Sequence, residues 1–193
     1  MIQAAVQLLA TGGLPNFSTT KVAKLAGIPQ SNLYIYFQNK QDLLNAVYQT
    51  TVHEESVAVV AALTPQSDLT TQLATSITAL YDFARQRPQV VATVQALTAD
   101  AQFKHQLTLK QADQENQQIQ ALIQRGVAEH VLRPVDLNLL RYFLTQPVFH
   151  FASGVTNAQY ADTPTSRQQL TTMLMAAILT TPAFTDWQAH NAH

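Results

Sequence analysis

Apolar residues recur along nearly the whole chain at intervals of three and four, the spacing that lines one face of a helix. Ile2, Val6 and Leu9 open the pattern, and Gly12-Gly13-Leu14-Pro15-Asn16 interrupts it. Val22 and Leu25-Ala26 form a second, short stripe that ends at Gly27. A glycine there can take the left-handed conformation that closes a helix. Pro29 suits the first turn of a third helix, where its missing N–H would have no partner, and that helix carries Leu33 and Phe37. Asn39 is placed to cap a fourth helix, with Asp42 supporting the same turn. Its stripe runs through Leu43, Leu44, Val47, Thr51 and Val52 toward Leu63.

Thr64-Pro65-Gln66-Ser67 stops that helix, and the pattern then predicts another over 68–87 through Leu69, Leu73, Ile77, Leu80 and Phe83. A shorter helix follows from Pro88 through Val91, Val94 and Leu97. A long polar-rich helix is expected over 101–130, with Phe103, Leu107, Ile119, Leu122, Ile123 and Val127 as its apolar positions. Asp136 should cap a helix through Leu140, Phe143, Val148 and Phe151, kinked at Pro147. Residues 153–165 read as a loop, and a last helix carries Leu170, Met173-Leu174 and Ala177-Ile178. From Pro182 the tail looks frayed, with Phe184 and Trp187 able to dock it. The expected fold is all-α, with about nine helices: three short ones, then longer ones. The fourth helix bridges the parts, giving a head over 1–48 and a larger helical domain over 49–193.

Composition narrows the class. With 47% hydrophobic and 12% charged residues in 193, the chain can build a core and is not disordered. The absence of cysteine excludes a disulfide scaffold, a thiolate zinc site and a cysteine nucleophile. No apolar run approaches the ~20 residues of a membrane span, and the start lacks the pattern of a signal peptide. We therefore expect a cytoplasmic protein without a membrane partner. The net charge of -1 hides an asymmetry: residues 1–50 hold three lysines and one acid. That excess of positive charge points to an anionic partner for the first part.

Residues 18–40 carry the chemistry. Two helices of about two turns joined across Gly27 make a helix-turn-helix, with Ala23 small enough for a close crossing. The second helix of such a motif offers its early residues to base edges in a major groove. Gln30 and Asn32 bring side-chain amides able to pair with an adenine edge, and Ser31 can donate or accept. Thr20, Lys21, Tyr34, Tyr36 and Lys40 each bring a hydroxyl or ammonium for phosphates, which fix register rather than sequence. Leu33 and Phe37 should face inward, against Val6, Leu9 and Val22.

The segment resembles the TetR family of bacterial transcriptional regulators. The resemblance rests on Thr19-Thr20, Ala23, Leu25-Ala26-Gly27-Ile28, Leu33-Tyr34-Ile35-Tyr36-Phe37, Lys40 and Leu43-Leu44, within residues 2–48. It implies DNA contact by Thr19, Thr20, Lys21, Gln30, Ser31, Asn32, Tyr34, Tyr36 and Lys40. Thr20, Tyr34 and Lys40 are then the expected backbone clamps. It further implies a homodimer on a palindromic operator, formed through the last two long helices, and a repressor released by a small-molecule effector. Two positions depart from the family pattern. The chain opens at Met1-Ile2 without the basic stretch usual before the first helix, and Pro29 stands where Ser or Thr is more common.

For the effector, pockets mix apolar walls with a few convergent polar groups. Tyr81, Phe83, Phe103, His105, Tyr142 and His150, with Phe143 and Phe151 beside them, are the candidates in the later helices. Tyr48 and His53, on the connecting helix, would transmit the effector's motion. Enzymatic signals are poor: there is no phosphate-binding glycine loop and no Gly-x-Ser-x-Gly. His53-Glu54 and Glu129-His130 are neighbours whose side chains diverge by about 100° on a helix. His190 and His193 sit in the tail, and no metal or cofactor is assigned. The alternative to a regulator is a helical small-molecule-binding or interaction protein that has lost operator binding. A third, weaker reading is an enzyme built in the C-terminal cavity.

Overall fold

The computed structural model describes residues 1–107 and 114–191. These form eleven α-helices: α1 (Ile2–Gly12), α2 (Thr19–Ala26), α3 (Gln30–Tyr36), α4 (Lys40–Ala62), α5 (Leu69–Gln86), α6 (Pro88–Ala99), α7 (Ala101–Gln106), α8 (Gln114–Ala128), α9 (Leu137–Thr156), α10 (Pro164–Ile178) and α11 (Thr181–Asn191). A 3-10 turn, Leu14–Asn16, follows α1. The fold is all-α, and among the described residues the only extended pairing is the isolated bridge between Leu132 and Leu179.

The helix ends follow from local chemistry. Ser18 caps α2 by accepting from the Lys21 N–H at 3.2 Å. Gly27, at φ 68° and ψ 28°, closes that helix, with the Ile28 N–H reaching back to the Ala23 carbonyl at 3.0 Å. Asn39 Oδ1 accepts from the Asp42 N–H at 2.9 Å, and Asp42 in turn accepts from the Gln38 N–H at 3.0 Å. Asp136 caps α9 by accepting from the N–H groups of Asn138 and Leu139. Pro29 stands at the N-cap of α3, with φ -58° and ψ 142°, rather than inside its first turn, and leaves that helix without the side-chain cap a Ser or Thr there would give.

Three other expectations give way. The long helix over 101–130 is two helices: α7 ends at Gln106, because Leu107 turns extended, and α8 begins at Gln114. The middle of the expected helix lies outside the described residues. α9 continues to Thr156, so the connection to α10 is shorter than 153–165. The tail is a helix whose Trp187 is buried and stacks on Phe184 at 5.9 Å, which supplies the apolar burial that an isolated eleven-residue helix lacks.

The chain divides into two compact units. The first gathers residues 1–54 and 87–107. Its core is Ala5, Val6, Leu9, Phe17, Val22, Leu33, Leu43, Leu44, Val47, Leu97 and Phe103. Tyr48 meets Phe103 edge-on at 5.7 Å, and the buried Thr93 hydroxyl donates to the Val6 carbonyl at 3.1 Å. Glu54 and Arg87 pair at 2.5 Å, tying α4 to the start of α6.

The second unit gathers residues 55–86 and 114–191. α5 packs along α9, with α8 and α10 beside them. Gly126 is required there, because a Cβ on it would lie 2.6 Å from Leu132 Cδ1. Asp162, between α9 and α10, accepts from Arg167 at 2.6 and 2.9 Å and from the Tyr81 hydroxyl at 2.7 Å. Those bonds, Arg167 foremost, hold its carboxyl down at about 2. Leu139, Tyr142 and Phe143 on α9, and Met173 on α10, remain exposed.

Candidate nucleic-acid interface

α3 is held to the first unit by one fully buried side chain, Leu33, with Phe37 partly buried just after it. Its other positions are therefore free to face outward. Ser31 and Asn32 are exposed, and Tyr34 and Tyr36 are exposed at 48% and 68%. Ile35, absent from the sequence-based candidates, is 74% exposed. An apolar side chain standing beside amides and hydroxyls matches the needs of a thymine methyl. The signal for it was available: Ile35 is two residues past Leu33, off the inward stripe.

The N-terminal turn of α2 faces the same helix. Thr20 and Lys21 are exposed, and one Lys21 Nζ proton goes to the Asn16 carbonyl at 2.9 Å. An ammonium has three protons, so two remain for a phosphate. Lys40 is exposed, with its Nζ over the Phe17 ring at 5.6 Å from the centroid. Thr19 differs from the others in being buried, and its hydroxyl meets Gln30 Nε2 at 3.3 Å and the Tyr34 hydroxyl at 3.2 Å. It holds α2 and α3 in register from inside the surface rather than standing on it. The expected DNA-contact residues thus gather on one unit, Thr19 beneath and the rest above.

The six effector candidates do not form one site, although Tyr81 and His150 are joined through Phe151 and Tyr160, with successive ring centroids 5.6, 5.6 and 6.3 Å apart. Phe103 is buried in the first unit's core, and His105 is exposed on α7 of that same unit. Tyr81 and Phe83 are buried in α5, Tyr81 with its hydroxyl committed to Asp162. Tyr142 is exposed at 62%, and His150 is exposed beside Tyr160. Richness in aromatics marked core and surface positions and this one aromatic series, not a single pocket wall.

The second unit has a narrow cleft of about 60 Å³ elsewhere. Val59, Leu73, Ile77, Leu80, Ile119, Ile123 and Leu144 give it apolar walls, and Glu55, Ser76, Arg141 and Thr145 supply the polar groups. Glu55 is half-buried, and loss of water raises its carboxyl to about 7, against the opposing pull of Arg141. The signal for this site lies in α4: Thr51, Glu55 and Val59 share a four-residue spacing, so Glu55 stands on a stripe whose neighbours are buried. A carboxylate there is out of place in a purely structural helix.

Among the described residues no helix is long and apolar enough to cross a membrane. Residues 1–47 match the family model described as bacterial regulatory proteins, tetR family. A curated relative, the fatty acid metabolism regulator protein of Bacillus subtilis (strain 168), is 37% identical over 49 residues. That match spans a quarter of this chain and a quarter of the relative. Among solved structures, a TetR family transcription regulator from Marinobacter aquaeolei VT8 is similar with a TM-score of 0.75 and 20% identity, over 92% of this chain and 93% of that one. FadR of Bacillus subtilis, a transcriptional regulator solved in complex with stearoyl-CoA, is similar with a TM-score of 0.67 and 18% identity. The likeness covers 90% of this chain and 95% of FadR.

Proposed function

We propose that the chain is a tetR-family transcription regulator, its first 47 residues matching that family's model and 92% and 90% of its length sharing the fold of two solved regulators, and that it is a homodimeric repressor released by an apolar effector. In this reading residues 1–48 are the DNA-binding domain, and 49–193 bind the effector and form the dimer. The observation that carries it is α3, anchored by Leu33 and by the Gln30 and Tyr34 bonds to Thr19, with Ser31, Asn32, Ile35 and Tyr36 outward. Gln30, Ser31, Asn32 and Ile35 read base edges. Thr20, Lys21, Tyr34, Tyr36 and Lys40 clamp phosphates. The protein acts in the cytoplasm, where its operator is.

Two copies join through α9 and α10, whose exposed Leu139, Tyr142, Phe143 and Met173 form apolar surface that a partner copy would cover. A two-fold dimer matches a palindrome by symmetry. The effector enters the cleft between α4, α5, α8 and α9. At about 60 Å³ the cleft is far below the volume of an ordinary ligand site, so any occupant larger than a few atoms has to part these helices. An effector that binds the parted state better shifts the population toward it. Apolar walls with one arginine and one near-neutral carboxyl suit an acyl chain with a polar head. The similarity to a fatty acid metabolism regulator and to an acyl-CoA-bound structure supports that class.

The experiment is an electrophoretic shift of duplex fragments from around the gene, with palmitoyl- and stearoyl-CoA added. Saturable retardation that either acyl-CoA reverses supports the whole reading. Retardation that neither reverses overturns the effector class, and no retardation of any fragment overturns the repressor in favour of a chain that has lost operator binding.

A further inference from the structure

We propose that Thr19 sets the base preference of Gln30, making its amide a reader of adenine and a poor partner for guanine. The inference rests on the reading of the first unit as a DNA-binding head. Thr19 opens α2 and is buried, while Gln30 opens α3 and is half-buried. Gln30 Nε2 donates to Thr19 Oγ1 at 3.3 Å, and Thr19 Oγ1 lies 3.2 Å from the Tyr34 hydroxyl oxygen.

A hydroxyl offers one proton and two acceptor positions. One acceptor position of Thr19 is filled by the Gln30 N–H. Between Thr19 and Tyr34 either hydroxyl can be the donor. Where Thr19 gives its proton, the chain of donation runs from Gln30 to Thr19 to Tyr34, and the Tyr34 proton is left to point outward at a phosphate. Each bond in such a series polarises the next.

The consequence for Gln30 is a matter of counting. Its amide has two N–H protons and one carbonyl oxygen. Thr19 takes one proton, so one donor and one acceptor remain. Adenine presents N7, an acceptor, and an N6 amino donor in the major groove, which is the matching pair. Guanine presents N7 and O6, two acceptors, and would need both amide protons. Thr19 does not touch the base; it is a positioning residue that withdraws the proton guanine requires.

The test uses the full chain. Duplexes are selected from a random library by the wild type and by Gln30→Ala, Thr19→Val, Thr19→Ala and Thr19→Ser, with unfolding midpoints measured alongside. The wild type should favour adenine over guanine about tenfold at one column of each half-site, the scale of one good side-chain pair. Gln30→Ala should flatten that column. Thr19→Val and Thr19→Ala should each cut the preference to about threefold or less, while Thr19→Ser, which keeps the hydroxyl, retains it. Thr19→Ala, with the smaller side chain, keeps the test decisive if the valine does not fold. A merely structural Thr19 would weaken all columns alike and leave the preference at wild-type strength, which overturns the proposal. So does a wild-type site with no adenine column that answers to Gln30→Ala; DNA binding then stands without this mechanism. A wild type that selects no duplex overturns the DNA-binding reading itself.

Discussion

In the first unit Phe103, Leu9, Leu33, Leu43 and Leu97 are almost fully buried, and on the α2–α3 face hydroxyl, amide and ammonium groups stand outside with the apolar Ile35 and Leu25 among them. In the second, the buried set of Phe149, Met175, Ile178 and Leu179 coexists with a cleft and with exposed Leu139, Tyr142 and Met173. The first arrangement keeps a small helix rigid enough to be read against a fixed partner. The second leaves apolar surface unspent, which is useful where a ligand or a second copy will cover it. Rigidity where geometry is recognised and slack where a signal is received is the division of labour proposed for this chain.

The largest effect should come from the anchor of α3. Leu33→Ala leaves a cavity under the helix and should cost about 2–5 kcal/mol. In a thermal melt it should lower the first unit's transition and abolish duplex binding, while the dimer survives. Loss of dimer and head together would show that the two units are not energetically distinct. Next, paired Leu139→Arg and Tyr142→Arg should convert dimer to monomer in sedimentation at micromolar concentration, with little change in helix content by circular dichroism. A dimer that persists would remove α9 from the interface.

Glu55 sharpens the contrast within the second unit. Its folded carboxyl titrates near 7, above the ordinary 4.5. The folded state therefore holds a proton that the unfolded state has released across that interval. Its contribution is full below about 4.5 and is lost as pH rises toward 7. Glu55→Gln should flatten the fall in melting temperature over this window and raise it by a few degrees at pH 8. An unchanged slope would mean that the carboxyl sits in water. The smallest effect belongs to the turn of the head. Gly27 holds φ 68°, where a side chain is strained, so Gly27→Ala should cost about 1–2 kcal/mol and weaken DNA binding only in proportion. A calorimetric loss near zero would show that the turn relaxes.

Much of the head was readable because its signals are local. Gly27 ends α2, Asn39 caps α4 and Leu33 points inward for reasons contained within a few residues of each. Thr19 was named as a contact, but its buried place between α2 and α3 was not legible, since it depends on α3 folding back across it, and a threonine at a helix start reads equally as cap, contact or filler. The second unit was readable only as a set of helices. Its cleft is walled by Val59, Leu73, Ile77 and Ile123, which periodicity cannot distinguish from core. None of the six effector candidates lines the cleft, because each, Tyr81 and Phe103 included, is spent on packing or left on the surface. Leu107 breaks a helix that its polar, unpunctuated sequence gave no reason to stop.

The most direct test of the central claim is a fluorescence anisotropy titration of the full chain against a duplex it has selected, repeated across a series of salt concentrations. The account predicts saturable binding whose logarithm falls linearly with the logarithm of salt. Lys40→Ala should make that slope shallower by about one for each protomer bound, without changing the selected sequence. Binding that ignores salt, or a Lys40→Ala slope equal to the wild type's, would contradict the account of the first unit as a phosphate-clamped reading head.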